Sequence, residues 1–179
     1  MNILGSGTGY ELFKEEAEKK TYVDKSMLVP AFYKYANEIN KYVCVTRPRR
    51  FGKSVAANMI AAFFDESTAG KSEKLFKVLE VGKFKSSQKK VTGHEAESSS
   101  CWKEQGKLKV IRLNMIEMIS DETTSYQKFR QTLNRLLKED ITAEYPDIAI
   151  DSKSSLPEIL SKTGDSFVFV IDEWDAILR

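Results

Sequence analysis

The sequence predicts an α/β fold, with strands and helices alternating around a mainly parallel sheet, and three observations predict it. Tyr42–Thr46 and Lys109–Asn114 are short, rich in β-branched residues and bounded by polar or turn-forming ones, which marks them as strands. Phe167–Ile171 is apolar throughout and ends in Asp172-Glu173, the pattern of a strand buried on both faces. Between the first two lie residues 53–65, alanine-rich and apolar almost all round, a helix that must be covered on most sides. The order strand–helix–strand–helix–strand requires crossover connections.

The remaining elements follow the same reasoning. Residues 1–22 open on Gly5, Gly7 and Gly9 and then become charged, which reads as a flexible start. The glycine run has the wrong spacing for a dinucleotide fingerprint. Leu28, Phe32, Tyr35/Ala36 and Ile39 share one helical face, with Asp24 or Ser26 available as the N-cap and Pro30 expected to kink the helix or delay its start. Cys44 reads as core. The lysine-rich stretch 71–90 reads as a solvated helix face around Leu75, Phe76 and Leu79, with a nucleic-acid contact as the alternative. Residues 85–106 hold a polar run too poor in apolar groups to order itself, a surface loop whose far end Trp102 anchors. Tyr126, Phe129, Leu133 and Leu136/Leu137 form an amphipathic helix.

Composition narrows the function. At 179 residues the chain is expected to form one compact unit. A net charge of +2, from 28 basic and 26 acidic residues, excludes a strongly cationic nucleic-acid coat but not a local basic patch. Two cysteines, Cys44 and Cys101, exclude a disulfide scaffold or a four-thiolate metal site. One histidine, His94, excludes clustered imidazole ligands and argues against Ser-His or Cys-His catalysis. The longest apolar stretch, Val55–Phe64, is about half the ~20 residues of a membrane span. With no basic-then-apolar leader, a cytoplasmic location without membrane association is expected.

The most informative segment is Thr46-Arg47-Pro48-Arg49-Arg50-Phe51-Gly52-Lys53-Ser54, between a strand and the N-terminus of a buried helix. Free amides, the positive end of the helix dipole and a lysine ammonium all favour a bound polyphosphate there. Gly52 would let the backbone approach the phosphates, Lys53 would reach the terminal ones, and the Ser54 hydroxyl would ligate Mg²⁺. The general pattern G-x-x-x-x-G-K-[ST] requires glycine where this chain has Arg47. The competing account of Arg47, Arg49, Arg50 and Lys53 is a solvated basic turn or a small nucleic-acid contact. The acidic partner of such a loop is also present. Asp172, at the C-terminal edge of an apolar strand, would hold Mg²⁺, and Glu173 would orient or deprotonate the attacking water. Ordinary surface acids capping a strand are the bland alternative. Asp175 is either an outer-shell group or a turn acid.

Tyr22-Val23-Asp24-Lys25-Ser26, Thr46–Ser54, Ala61-Ala62-Phe63-Phe64-Asp65, Leu75-Phe76 and Phe169-Val170-Ile171-Asp172-Glu173-Trp174-Asp175 together resemble the AAA-ATPase-like family. That family is common in bacteria and typically carries Arg-Pro-Arg-Arg-Phe-Gly-Lys-Ser as its Walker A loop, which accounts for Arg47. The resemblance implies a three-layer P-loop NTPase-like core binding ATP and Mg²⁺. The nucleotide-contacting stretch would be Arg50, Phe51, Gly52, Lys53, Ser54 and Val55. Ser54 and Asp172 would be the metal ligands, with Glu173 and Lys53 the catalytic groups. Longer relatives often carry a C-terminal nuclease-like domain of the PD-(D/E)XK type. The polar stretch Ser86–Ser100 is longer and less apolar than the family usually shows.

In P-loop ATPases of this broad class, the strand beside the Walker A strand follows the acidic strand in sequence. Residues 1–179 are therefore expected to be the N-terminal portion of such a domain, incomplete at the C-terminal end and completed by a missing segment or by an oligomer. Either Tyr42–Thr46 pairs directly with Phe167–Ile171, or the sheet has a gap and exposed edges. The function expected is an ATP/Mg-binding module that hydrolyses ATP in the complete domain. The alternatives are a nucleotide- or nucleic-acid-binding module without turnover and a small P-loop kinase.

Overall fold

A computed structural model describes residues 3–37, 41–46, 48, 50–87, 101–118, 126–151 and 154–176. The chain divides into two compact units, residues 7–108 and residues 1–6 with 109–179, where the length predicted one. Each unit has its own core, one aromatic and one aliphatic.

The helical unit contains α1 (Thr8–Ala17), α2 (Leu28–Asn37), α3 (Lys53–Phe64), a 3₁₀ turn (Glu66–Thr68), α4 (Ala69–Val78) and α5 (Glu80–Ser87). Its centre is α3, buried from Asn58 to Phe64 without a polar face, as its composition requires. Phe63 meets Phe76 edge-on at 5.0 Å and Trp102 at 5.2 Å, and Phe13 stacks on Phe76 at 5.3 Å. Trp102 does anchor the far end of the polar stretch, together with buried Cys101. Residues 88–100 of that stretch, including His94, lie outside the described residues. The flexible start predicted for residues 1–22 is replaced by a helix, because Phe13 supplies an aromatic anchor and Gly9 a gap. A Cβ at Gly9 would come within 2.7 Å of the Ala61 Cβ, so only glycine lets α1 lie this close to α3.

The inward face and the expected caps of α2 differ from expectation, whereas Pro30 acts at its start. Its inward residues are Val29, Phe32 and Tyr33, the latter two against the Phe64 ring, while Leu28 and Tyr35 are exposed. Pro30 falls in the first turn, where no intrahelical donor is required, so it sets the start without a kink. Asp24 and Ser26 do not cap α2 with their side chains. The Asp24 carboxylate accepts from the Glu80 amide at 2.7 Å and the Ser26 hydroxyl oxygen from the Val81 amide at 3.0 Å, so both serve the start of α5.

The Tyr42–Thr46 strand does not form. Residues 41–46 are exposed coil, Tyr42 is 94% exposed, and Cys44 lies on the surface rather than in a core. β-branched residues favour a strand only where a ladder and a packing surface receive them, and among the described residues this segment has neither.

The second unit is built on β1 (Lys109–Asn114) and β2 (Phe167–Asp172), paired in parallel from Lys109↔Phe167 to Asn114↔Asp172. The connection between them carries α6 (Tyr126–Glu144) and α7 (Leu156–Thr163). Ile111, Leu113, Phe129, Leu137, Ile141 and Ile159 form the core with Ile3 and Leu4. β2 alternates rather than burying both faces: Val170 and Asp172 are inside, Phe169 and Ile171 half exposed. The other edge of β1 is covered by residues 3–5 through an antiparallel bridge, Leu4↔Ile111. Asp140 on α6 secures that cover by accepting from the Ile3 amide and, at 3.1 Å, from the Leu4 amide. Burial and the adjoining Asp165 carboxylate push the Tyr145 hydroxyl up to about 12.

Two predictions follow from these cores. Asp140→Ala leaves two strand-edge amides without their acceptor and should cost about 1–3 kcal/mol in urea unfolding, with Asp140→Asn recovering part of it. Asp65, buried at the C-terminus of α3, is raised above the usual 3.8, chiefly by burial. Its protonated form is favoured in the fold, so its contribution is complete below pH 3.8 and is lost as pH rises through the higher folded value. Asp65→Asn should therefore gain stability relative to wild type as pH rises across that window. A difference independent of pH would refute this.

Candidate functional site

The phosphate-loop candidates are contiguous in the helical unit. Arg50 and Gly52 both take left-handed backbone, φ 68° and 75°, and turn the chain into α3. Gly52 is the N-cap and no side chain caps the helix. The first turn holds no acidic residue, so nothing there offsets the positive end of the dipole. Arg50, Phe51 and Ser54 are exposed, and Gly52, Lys53 and Val55 are half-buried. Lys53 Nζ donates to the Pro48 carbonyl at 3.3 Å, folding its ammonium back over the loop. Arg47 and Arg49 lie outside the described residues. A non-glycine residue at positive φ costs about 1–2 kcal/mol, so Arg50 stores strain in the loop itself.

Asp172 and Glu173 belong to the other unit. β2 delivers Asp172 to its C-terminal end, opposite Asn114, and the Asp172 carbonyl accepts from the Met115 amide at 3.0 Å. Asp172 is buried, 7% exposed as a residue, and its Oδ1 accepts from the Glu173 amide at 3.0 Å. Glu173 is itself left-handed, φ 53°, and half-buried, at the point where the chain leaves the strand. Its carbonyl accepts from the Ala176 amide at 2.9 Å, closing a turn that contains exposed Trp174 and half-buried Asp175. Among the described residues, no Lys, Arg or His forms an ion pair with Asp172.

The structure thus groups Arg50–Val55 at one helix end and Asp172–Glu173 at one strand end. It adds two residues that the sequence reading did not single out. Asn114 sits opposite Asp172 in register, its Nδ2 donating to Glu117 at 2.6 Å. Lys25 donates from Nζ to the Phe51 carbonyl at 3.3 Å. The signal for Lys25 lay in the Tyr22–Ser26 segment, which carried resemblance but no assigned chemistry. Asn114 was visible only as the last residue of its strand.

Metal candidates fit in kind. Among the described residues no group of three or more His, Cys, Asp or Glu could hold a metal ion. A Mg²⁺ bound with a nucleotide needs only one or two protein oxygens besides phosphate and water. A buried carboxylate with no cationic partner among the described residues suits a cation, since desolvation of an unpaired charge is costly.

Gly52→Ala tests the loop geometry. A Cβ there would strain the left-handed backbone and meet Lys25 Nζ at 3.3 Å. Since that ammonium can shift, the expected cost is the backbone one, about 1 kcal/mol, read from chemical unfolding.

A family model described as "Predicted AAA-ATPase" matches residues 8–179. Neither the curated proteins nor the solved structures contain a match. No helix among the described residues is long and apolar enough to cross a membrane. With the family model spanning nearly the whole chain, from α1 through the acidic strand end, the protein belongs to the AAA-ATPase-like family.

Proposed function

We propose that this chain binds ATP with Mg²⁺ through the Arg50–Val55 loop and that Glu173 supports hydrolysis, within a three-layer P-loop core. The observation that carries the reading is the uncapped, acid-free N-terminus of α3, preceded by left-handed Gly52 and followed at once by Lys53. The helix-end amides would bind phosphate oxygens along the dipole, and Gly52 would let backbone come within hydrogen-bond reach of them. Lys53 would exchange the neutral Pro48 carbonyl for a phosphate oxygen, a stronger, charge-assisted bond. Ser54 and Asp172 are the residues that would hold Mg²⁺, which when bound neutralises charge on the terminal phosphates. Glu173 would hold a water for attack on the γ-phosphorus, accepting its proton as the new P–O bond forms and the bond to the β,γ-bridging oxygen breaks, so that ADP and phosphate leave.

Hydrolysis is favoured over transfer to an acceptor by the carboxylate following Asp172, which suits water activation. A nucleotide-binding module without turnover remains a distinct outcome of the same measurements. Fluorescent-ATP binding and phosphate release should be followed for wild type, Lys53→Ala and Glu173→Gln. Lys53→Ala should weaken binding by about tenfold or more. Glu173→Gln should still bind but release phosphate on the order of a hundredfold more slowly. Binding without release in the wild type would sink the hydrolytic reading, and phosphate appearing on an acceptor would favour a kinase. No binding at all would sink the nucleotide reading itself.

A further inference from the structure

We propose that Lys25 is a second phosphate-binding cation of this loop, presented from a segment outside it; the proposal rests on the nucleotide reading above. Lys25 Nζ donates to the Phe51 carbonyl at 3.3 Å and lies 3.3 Å from where a Cβ on Gly52 would stand. The ammonium therefore occupies the open side of the one glycine in the loop, the side on which a polyphosphate would approach the backbone.

Positive potential gathers at this point from Lys25, Lys53 and the N-terminal end of α3. The first turn of α3 contributes no acid. Among the described residues no carboxylate forms an ion pair with Lys25. Its neighbour Asp24 is committed elsewhere, accepting from the Ser26 amide at 2.8 Å and the Glu80 amide at 2.7 Å. Each ammonium rests on a carbonyl of the same loop, Lys25 on that of Phe51 and Lys53 on that of Pro48, so an anion bound to the loop would draw on both charges. The Phe51 carbonyl is only a neutral acceptor, and a phosphate oxygen would replace it with a charged one.

The lysine is also held in place. Asp24 and Ser26 on either side bond to the first amides of α5, and Ser26 is completely buried. The segment is thus pinned on both sides of Lys25, so its ammonium reaches the loop from a fixed base and little order has to be gained on binding. The Asp24-Lys25-Ser26 sequence does two jobs: its outer residues cap a helix and its middle residue serves the loop.

Equilibrium ATP and tripolyphosphate binding should be measured for wild type, Lys25→Met, Lys25→Arg and Lys53→Ala across a series of salt concentrations, with thermal unfolding alongside. Lys25→Met is expected to weaken both ligands roughly tenfold and to flatten the salt dependence, with Lys25→Arg recovering most of the affinity. If Lys53→Ala loses ATP but Lys25→Met binds as wild type does, the proposal is overturned while the loop reading stands. If Lys25→Met loses affinity with an unchanged salt dependence, or in step with a lowered unfolding temperature, its role is structural and the proposal is likewise overturned. If the wild type binds neither ligand, the nucleotide reading and this proposal fall together.

Discussion

A helix with no polar side from Asn58 to Phe64 can exist in water only when it is covered all round, and the helical unit is organised by that requirement. The cover comes from α1 through Phe13 and the close approach at Gly9, from α2 through Phe32 and Tyr33, and from α4 through Phe76. Trp102 closes the remaining flank. Burying aromatic side chains on this scale contributes of the order of 2–3 kcal/mol each before packing is counted. Once the C-terminal half of α3 is fixed in this way, the direction of its N-terminus is fixed too. The loop inherits its position from that core.

The exposed end of α3 is then free to be unfavourable. It carries a positive dipole end without a capping side chain, a non-glycine residue in left-handed backbone and lysines folded onto neighbouring carbonyls. A protein optimised only for stability would place an acid in that first turn and a glycine at position 50. Departures from local preference are expected where a ligand completes the arrangement, and they are affordable because the buried half of the same helix is so heavily enclosed.

Much of this could be read from the sequence wherever pattern and partner were local. The bounds of β1, the α3 helix, the amphipathic α6 and the anchoring role of Trp102 all follow from periodicity and composition. The misses share a cause, which is that the deciding partner lies far along the chain. Tyr42–Thr46 has strand propensity but no ladder among the described residues to realise it. Residues 1–22 read as a flexible start, yet Phe13 stacked on Phe76 of α4 and Gly9 set against Ala61 of α3 order Thr8–Ala17 as a helix. Asp24 and Ser26 have the chemistry of N-caps, and they are N-caps, but of a helix that begins at Glu80 rather than of the next one. The loop stood out as a candidate because Gly52, Lys53 and Ser54 are adjacent in sequence. Lys25 did not, because a distance of 26 positions separates it from the carbonyl it holds.

The acidic end of β2 repeats, on a different scaffold, the strategy seen at α3. The strand is anchored by Val170 on its inner face and by parallel pairing with β1 along its full length, so its last residue cannot slip. That rigidity holds Asp172 buried, with the following amide bonded to its own carboxylate. It also forces Glu173 into left-handed backbone as the chain turns away. Of the non-glycine residues with positive φ among those described, Lys41, Arg50 and Glu173, two fall at the proposed nucleotide and hydrolytic positions. Strain alone proves no function, but it persists only where surrounding structure over-determines it. At Arg50 the over-determining element is a buried helix, and at Glu173 it is a paired strand. In both units the strained residue stands at the end of a regular element, and the cost of that ending is carried by the core behind it.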